Sequence, residues 1–455
     1  MKLKRKTKLT PWQFLALGFL IVIITGTLLL LLPFASKSGK NTSFTNALFT
    51  STSATCVTGL VPYDTNTHWT LFGQIVILCL IQTGGLGFMT FVSLLFHVFG
   101  KQMSVQQSKI FMLSAGENNR SDIQRLFQRI LIGTLIFETI GAILLSVRFV
   151  DDFGWQKGIY YAVFHSVSAF CNAGFDLMGG TFGDATFVSL THYATDPLVS
   201  LTICALIIIG GLGFCVWDDF IQKRGNAKKC RLHTKIVLSA TTILLIASTL
   251  LFFLFEKNNP SFANCTFGEK LLISFFNAVT PRTAGFNTVD LSQISDASYL
   301  WMLFLMFIGG SSASTAGGIK VTTLFVIIMG MLAVFRGKRD IEVGKRRVHN
   351  ALLRQALAIF VSCLFIIITA TLIICHVEAA NSVATFQAVL FETVSAMGTV
   401  GLSLSLTPTL STLSKYVLIV LMYAGRVGIL TIALAFAEKK ESTETKKPVD
   451  TLLIG

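Results

Sequence analysis

The chain has 455 residues, of which 53% are hydrophobic and only 13% carry a charge. A typical soluble domain has roughly 25% charged residues, so this composition excludes a soluble protein. Long runs with almost no charge predict a polytopic membrane protein instead. The net charge of +14 then indicates membrane topology rather than a nucleic-acid partner.

Long and short apolar runs alternate along the chain. Eight runs are long enough for a helix to cross the hydrocarbon, which takes roughly 20 residues. Four others are too short to cross yet too apolar for ordinary loops, so the order long–short–long occurs four times. The long runs are 12–34, 71–99, 130–147, 197–217, 236–255, 299–335, 355–375 and 416–437, and the short runs are near 44–58, 159–173, 271–281 and 383–397.

The short runs share one pattern, in which a Phe lies ten residues before a Gly and Leu or Phe follows that Gly. The glycines are Gly59, Gly174, Gly285 and Gly401, so their spacings are 115, 111 and 116 residues. Such even spacing with matching flanks predicts an internal repeat. The predicted units are repeat 1 (1–99), repeat 2 (100–222), repeat 3 (223–350, with a broken second helix), repeat 4 (351–440) and a cytoplasmic tail (441–455).

The distribution of Lys and Arg predicts the topology. If each short run dips into the membrane and returns to the same side, an all-α protein with eight spanning helices results. One side then holds 27 of the 37 basic residues and the other side seven, while Arg282, Lys320 and Arg426 lie at membrane depth. Because cytoplasmic loops are rich in Lys and Arg, both termini are expected in the cytoplasm.

The four dips predict a pore. Irregular backbone at membrane depth has to lie inside protein or beside water, because lipid satisfies none of its polar groups. Four related segments most simply surround one axis with pseudo-fourfold symmetry, and glycine lets successive carbonyl oxygens turn inward to replace the water around a cation. The predicted cation site comprises Val57, Thr58, Gly59, Asn172, Ala173, Gly174, Thr283, Ala284, Gly285, Thr399, Val400 and Gly401.

Several other polar residues leave alternatives open. The Ser and Thr residues before the glycines are either helix back-bonding groups or ion ligands. His165 and Glu392 occupy one repeat position with Thr50 and Phe276, which favours packing over catalysis. Glu138 lies in the middle of a long run, where a functional carboxylate and a buried hydrogen bond are equally compatible with the pattern. Gly84, Gly85, Gly210 and Gly211 are expected to serve close helix packing.

The second helix of repeat 3 contains a run of small residues. Its four glycines each disfavour a helix by up to about 1 kcal/mol relative to Ala, which predicts a break below the pore and hence a candidate gate; a plain kink is the alternative. Arg426, at the equivalent depth of repeat 4, needs carbonyl or hydroxyl acceptors, which this run offers. The candidate gate residues are Gly309, Gly310, Ser311, Ser312, Ala313, Ser314, Thr315, Ala316, Gly317, Gly318, Lys320 and Arg426.

With these motifs the chain resembles the Trk/Ktr/HKT superfamily of potassium transporters, most closely the bacterial KtrB type. The resemblance rests on the four glycine-bearing dips, on 280–287, on 312–320 and on Gly425-Arg426. It implies a K⁺-translocating subunit of the bacterial plasma membrane that forms a homodimer with one pore per chain. A Gly at position 59 matches the K⁺-selective pattern of that family.

The resemblance also implies a regulatory partner and the ligands. The expected partner is a cytosolic ring of RCK-type subunits that bind ATP, ADP or NAD. This chain itself is expected to hold K⁺, with Na⁺ as a stimulating ion, and no transition metal. The principal hypothesis is channel-like K⁺ uptake through a gated pore, and the alternative is a Na⁺-coupled carrier with alternating access. An enzyme is not expected, because the sequence has no cluster of His, Asp, Glu or Cys at membrane depth.

Overall fold

The computed structural model of the protein describes residues 10–87, 120–259, 262, 265–338, 340–344 and 346–436. The basic N-terminus, the end of the run 71–99, most of the loop after it and the tail 441–455 lie outside the described residues. Within them, helices are joined by loops and by one hairpin, in which strand Ile341–Val343 pairs antiparallel with Arg346–Val348.

A long helix, a short helix and a closing helix follow one another four times in the described part of the chain. Long helices 1 to 4 are Pro11–Leu30, Arg120–Phe153, Leu232–Phe255 and Asn350–Val377. Short helices 1 to 4 are Phe44–Thr55, Trp155–Phe170, Phe267–Val279 and Phe386–Gly398. Closing helices 1 to 4 are Leu71–Gly85, Pro197–Leu212 with Phe214–Gln222, Asp296–Phe307 with Val321–Phe335, and Thr412–Val427 with Ile429–Phe436.

Side-chain caps determine where the closing helices begin. Thr70, Asp196, Ser295 and Ser411 each accept a hydrogen bond from a backbone N–H group in the first turn. A cap of this kind stabilises a helix by about 1 kcal/mol, because it satisfies a donor that has no partner within the helix.

The long helices present an apolar surface outwards. Ile21, Ile243 and Leu372 are each more than half exposed, which suits contact with lipid rather than water. By length and composition, four described helices are able to cross a membrane, and two bent pairs raise this number to six. These features are those of a multi-pass membrane protein.

The short helices lie at the centre of the fold. Phe49, Phe164 and Phe391, each ten residues before a repeat glycine, are fully buried. In the third short helix Phe275 is only partly buried, and the neighbouring Phe276 is the fully buried aromatic residue.

An exposed aromatic residue opens every short helix. These first residues are Phe44, Trp155, Phe267 and Phe386, and each is more than half exposed. Aromatic side chains prefer the interface between lipid and water, so these four residues suit that level of a membrane. This pattern was missed in the sequence, because the four short runs were aligned only at their glycine-bearing ends.

Candidate functional site

Each short helix is followed by a turn of the same backbone geometry. The residue two places before each repeat glycine has a φ between 50° and 72°, and the glycine has a φ between 69° and 94°. A non-glycine residue in this region is strained by about 1–3 kcal/mol, and such strain clusters at functional sites. The strained residues are Val57, Asn172, Thr283 and Thr399.

The four turns meet in a closed ring, called here the glycine ring. Each glycine lies so close to a carbonyl oxygen of the next turn that an added Cβ would collide with it. Only glycine fits this approach, which explains its presence at all four positions. The contacts are Gly59 with Ala173, Gly174 with Ala284, Gly285 with Val400, and Gly401 with Thr58. The structure therefore brings the predicted cation-site residues together in one place.

Serine hydroxyls hold the turns in place. The backbone N–H groups of Gly59 and Gly401 each donate to a serine hydroxyl six residues earlier, at 3.0 Å. Ser168 instead donates to the carbonyl oxygen of Phe175 at 2.7 Å. These three hydroxyl groups therefore bind the backbone of the turns. Thr50 and Ser274 instead donate to the carbonyl oxygen four residues earlier in their short helices, as the back-bonding interpretation predicted.

Glycines of the closing helices allow these helices to contact the short helices closely. An added Cβ at Gly84 or Gly210 would collide with a backbone carbonyl oxygen at the end of a short helix, and one at Gly85 would lie 2.5 Å from Sγ of Cys171. Gly425 makes the same kind of contact with Met397. The expectation of close packing is confirmed for Gly84, Gly85 and Gly210, whereas an added Cβ at Gly211 would lie at an ordinary 3.4 Å from Nδ2 of Asn172.

Closing helices 2 and 4 also bend, although the sequence predicted a break only in the closing helix of repeat 3. The second bends by 88° between Leu212 and Phe214, and the fourth by 92° between Val427 and Ile429. The residues at the bends, Gly213 and Gly428, have φ angles of 97° and 90°, which end a helix. The prediction of a single broken helix was therefore wrong, because a lone glycine at positive φ interrupts a helix as effectively as the longer small-residue run.

The predicted break itself forms a compact loop, 308–320, between the two halves of closing helix 3. The loop folds on itself, since N–H of Gly309 donates to the carbonyl oxygen of Ile319 at 2.9 Å. It also binds closing helix 2, because Ser311 N–H donates to Gly211 at 3.0 Å and Phe214 N–H donates to Ala313 at 2.8 Å. The loop is thus an ordered structure rather than a plain kink.

The loop lies directly against the turns of the glycine ring. An added Cβ at Gly317 would overlap the hydroxyl oxygen of Thr399, and one at Gly309 would lie 3.3 Å from Cγ2 of Thr283. Both contacted residues precede ring glycines, so the loop occupies the side of the ring from which the short helices arrive.

Two half-buried cations bind backbone carbonyl groups at this loop. The Arg426 guanidinium donates to Thr315 of the loop and to Gly84 and Gly85 at the end of closing helix 1. Lys320 Nζ donates to Ala316 at 2.8 Å and to Gly317 at 3.3 Å. Arg426 therefore ties the loop to a second element, whereas Lys320 braces the loop from within.

The remaining polar candidates make structural hydrogen bonds. Glu138 accepts from Nε2 of Gln82 at 3.2 Å, and Glu392 accepts from the Thr407 hydroxyl. His165 is fully buried and accepts the N–H of Leu177 at 3.3 Å. For Glu138, the structure favours the buried hydrogen bond.

A cavity of about 100 Å³, called here the vestibule, lies on the side of the ring opposite to the loop and is lined by all four ring glycines. Asp176, two residues after Gly174, lines it as well. Sequence reasoning missed Asp176, although it is the one acidic residue that close behind a repeat glycine.

Comparisons with known proteins agree with this arrangement. The family of TrkH cation transport proteins matches residues 10–447. The potassium/sodium uptake protein NtpJ of Enterococcus hirae is 41% identical over 100% of this chain and 99% of its own length. Ktr system potassium uptake protein B of Vibrio alginolyticus is 43% identical over 97% of this chain and 94% of its own length.

A solved structure shares the fold. The crystal structure of the potassium transporter TrkH from Vibrio parahaemolyticus aligns with a TM-score of 0.72 at 17% identity, covering 96% of this chain and 87% of that one. The relatives over nearly the full length confirm the resemblance found in the sequence. The chain therefore belongs to the TrkH family of cation transport proteins and is a membrane transporter rather than an enzyme.

Proposed function

We propose that this chain takes up potassium across the bacterial plasma membrane through the glycine ring. The observation that carries the proposal is the cyclic contact of four turns with one shared backbone geometry. Carbonyl oxygens from four equivalent segments are suited to replace the hydration shell of K⁺. The buried hydroxyl oxygens of Thr58 and Thr399 have no hydrogen-bond partner among the described residues, which suits an ion or water in the ring. Relatives named as potassium uptake proteins support K⁺ as the ion.

The proposed architecture has eight spanning helices in four repeats with pseudo-fourfold symmetry, and both termini in the cytoplasm. The fourfold succession of long, short and closing helices supports the repeats. The excess of Lys and Arg on the side of the termini supports the topology. The vestibule then faces the outside and the 308–320 loop faces the cytoplasm.

The proposed gate is the 308–320 loop with Arg426 as its latch. The loop contacts the ring turns on the cytoplasmic side, where a permeating ion would leave them. Two groups of carbonyl acceptors, Thr315 on the loop and Gly84 on closing helix 1, share one guanidinium. Moving the loop would cost these hydrogen bonds, so the latch favours the closed pathway.

The proposed regulation comes from a cytosolic ring of RCK-type subunits, which bind ATP, ADP or NAD, acting on a homodimer of this chain. The words "Ktr system" in the names of two relatives support a multicomponent system. The basic segment 336–350, which contains the hairpin 341–348, and the C-terminal tail are the proposed docking surface. The ion that we propose this chain holds is K⁺, and Na⁺ is the second candidate.

A Na⁺-coupled carrier remains the alternative function. The bends in closing helices 2 and 4 favour it, since broken helices are common in carriers. The four ring turns favour a channel, because carriers of that kind are built from repeats of opposite orientation. Unitary currents recorded from the purified chain in a bilayer would decide for the channel, and uptake strictly coupled to Na⁺ for the carrier.

Rescue of a potassium-uptake-deficient bacterium at low external K⁺ tests the proposed function. The wild-type chain with an RCK partner should restore growth and Rb⁺ influx, whereas Gly285→Asp should abolish both, because a carboxylate cannot fit beside the Val400 carbonyl oxygen. Gly268→Asp is the matched control, since no atom lies within 4 Å of an added Cβ there. Normal Rb⁺ influx through Gly285→Asp would reject the ring as the pathway.

A further inference from the structure

The vestibule carries chemistry that the glycine ring does not use. Oxygen atoms of uncharged side chains line much of it, supplied by serine, threonine and asparagine residues that follow the repeat glycines. Of the described residues that line this cavity, Asp176 is the single ionisable one. The uncharged polar lining residues are Thr65, Ser189, Asn287, Ser403, Ser405 and Thr407.

The Asp176 carboxylate has no cationic partner to neutralise it in the described structure. Its Oδ1 accepts the N–H of Met178 at 2.9 Å, which leaves Oδ2 without a hydrogen bond in the described residues. The neighbouring carboxylate is Asp64, whose oxygens accept N–H groups of Thr67 and Phe187 at 2.8 and 3.0 Å. Two carboxylates close to each other, with hydrogen bonds that satisfy only one of them, create a negative potential at the vestibule.

The opposite wall of the vestibule adds a third carboxylate behind its surface. Thr407 lines the cavity and donates its hydroxyl proton to Glu392, which is only 1% exposed. The other oxygen of Glu392, Oε2, is buried without a hydrogen-bond partner in the described part of the chain. A buried carboxylate left partly unsatisfied is costly unless positive charge lies nearby. Thr407 therefore presents its oxygen lone pairs, rather than its proton, to the cavity.

We propose that Asp176 and the hydroxyl-lined vestibule form an outer binding site for a partly hydrated monovalent cation, from which that ion enters the glycine ring. The proposal rests on the proposed function and extends it to a residue outside the ring. Charged groups in a narrow mouth raise the local concentration of counter-ions. Because four equivalent turns form the ring but only one carries this carboxylate, the site is off the axis, on the side of repeat 2.

Initial rates of Rb⁺ influx, measured over external Rb⁺ concentration at constant pH, test the site. Asp176→Asn should raise the half-saturating concentration about tenfold, because a neutral amide no longer attracts the cation. The maximal rate should be kept, which also shows that the variant is folded. Asp176→Glu should keep the half-saturating concentration close to the wild-type value.

Asp184→Asn is the matched control, because Asp184 is an exposed acid of the same connecting segment that does not line the vestibule. It should behave as the wild type. If Asp176→Asn keeps the wild-type half-saturating concentration, the outer site is rejected while the ring is untouched. If the wild type fails to take up Rb⁺ at all, the proposed function itself is rejected.

Discussion

Single residues decide how the glycine ring and its loop are held. Arg426 is the clearest case, because a planar guanidinium offers donors in two directions, to Thr315 and to Gly84. An ammonium group at the same depth is a compact charge and is unable to reproduce this fork. The residue type therefore matters as much as its charge.

We expect Arg426→Lys to weaken the latch and Arg426→Met to remove it. Rb⁺ influx without the cytosolic partner should rise from wild type to the Lys variant and again to the Met variant, by about tenfold or more if the latch contributes 1.4 kcal/mol or more. Arg148→Lys, in which a half-exposed arginine binds Asp196 far from the loop, is the control. Unchanged partner dependence in Arg426→Met would contradict the latch.

Glu378 holds the start of closing helix 4 from the end of long helix 4. Its Oε1 accepts the N–H of Ser411 at 2.9 Å and the hydroxyl of Ser414 at 2.6 Å. Burial alone would raise the pKa of Glu378, but these hydrogen bonds and one from Asn381 hold it at about 2. Glu256 likewise accepts the N–H and the hydroxyl of Ser295 before closing helix 3. A glutamate at the end of a long helix therefore holds the start of two closing helices.

We expect Glu378→Gln to lower the melting temperature of the detergent-solubilised protein at pH 7, since hydrogen bonds to a charged group contribute about 1.5–3 kcal/mol. A lowered pKa stabilises the fold above the unfolded value of 4.5 and this contribution is lost as pH falls towards 2. The difference between variant and wild type should therefore shrink below pH 4.5. Asp184→Asn, at an exposed acid of a connecting segment, serves as the control. A difference that stays constant down to pH 3 would contradict this role.

At the scale of elements, the bends of the closing helices determine how the loop is supported. Gly213 and Gly428 have nearly the same φ, 97° and 90°, yet their surroundings differ. An added Cβ at Gly213 would lie 2.7 Å from the Ser312 carbonyl oxygen of the loop, whereas the nearest atom at Gly428 is Thr431 Oγ1 at 3.7 Å. Gly213 itself therefore contacts the loop, whereas no loop atom lies within 4 Å of an added Cβ at Gly428.

Alanine substitutions at Gly213 and Gly428 separate the effect of backbone strain from the effect of contact with the loop. Gly213→Ala and Gly428→Ala should each strain the backbone by roughly 1–3 kcal/mol, but only Gly213→Ala should push the loop and raise Rb⁺ influx in the absence of the partner. The measurement compares partner-free influx at equal amounts of protein in the membrane. Equal influx through both variants would show that the bend, rather than the loop contact, controls the pathway.

At the scale of the whole molecule, the proposed regulation requires a surface on the cytoplasmic side. Its described part is the hairpin 341–348, where Lys338 pairs with Glu342 and Arg347 with Asp340. Both pairs are exposed and contribute little to stability. Charge can therefore be changed there without unfolding the protein.

We expect Arg346→Glu with Arg347→Glu to reduce co-purification of a soluble RCK-type ring by about tenfold, and more strongly at low salt than at high salt. Lys37→Glu with Lys40→Glu, on the opposite side of the proposed topology, should have no effect. Unchanged co-purification after charge reversal at the hairpin would show that the docking surface lies elsewhere.

The local sequence pattern and the distribution of charge were sufficient to predict much of this protein's structure. The positions of the ring glycines, the break at 308–320 and the need of Arg426 for carbonyl acceptors all follow from residue spacing, helix propensity and burial cost. These are properties of single segments and their register, so no knowledge of contacts between segments is required. The resemblance to the superfamily rests on the same residues.

Only the tertiary structure decided which segments meet. The cyclic order of the ring joins turns more than 100 residues apart, Arg426 binds closing helix 1 as well as the loop, and the Asp176 carboxylate lies near Asp64 beside a hydroxyl-lined cavity. The bends at Gly213 and Gly428 were also not predicted from the sequence, because a glycine adopts positive φ only where its neighbours require it. Such features depend on distances between remote parts of the chain, which residue spacing along one segment does not contain.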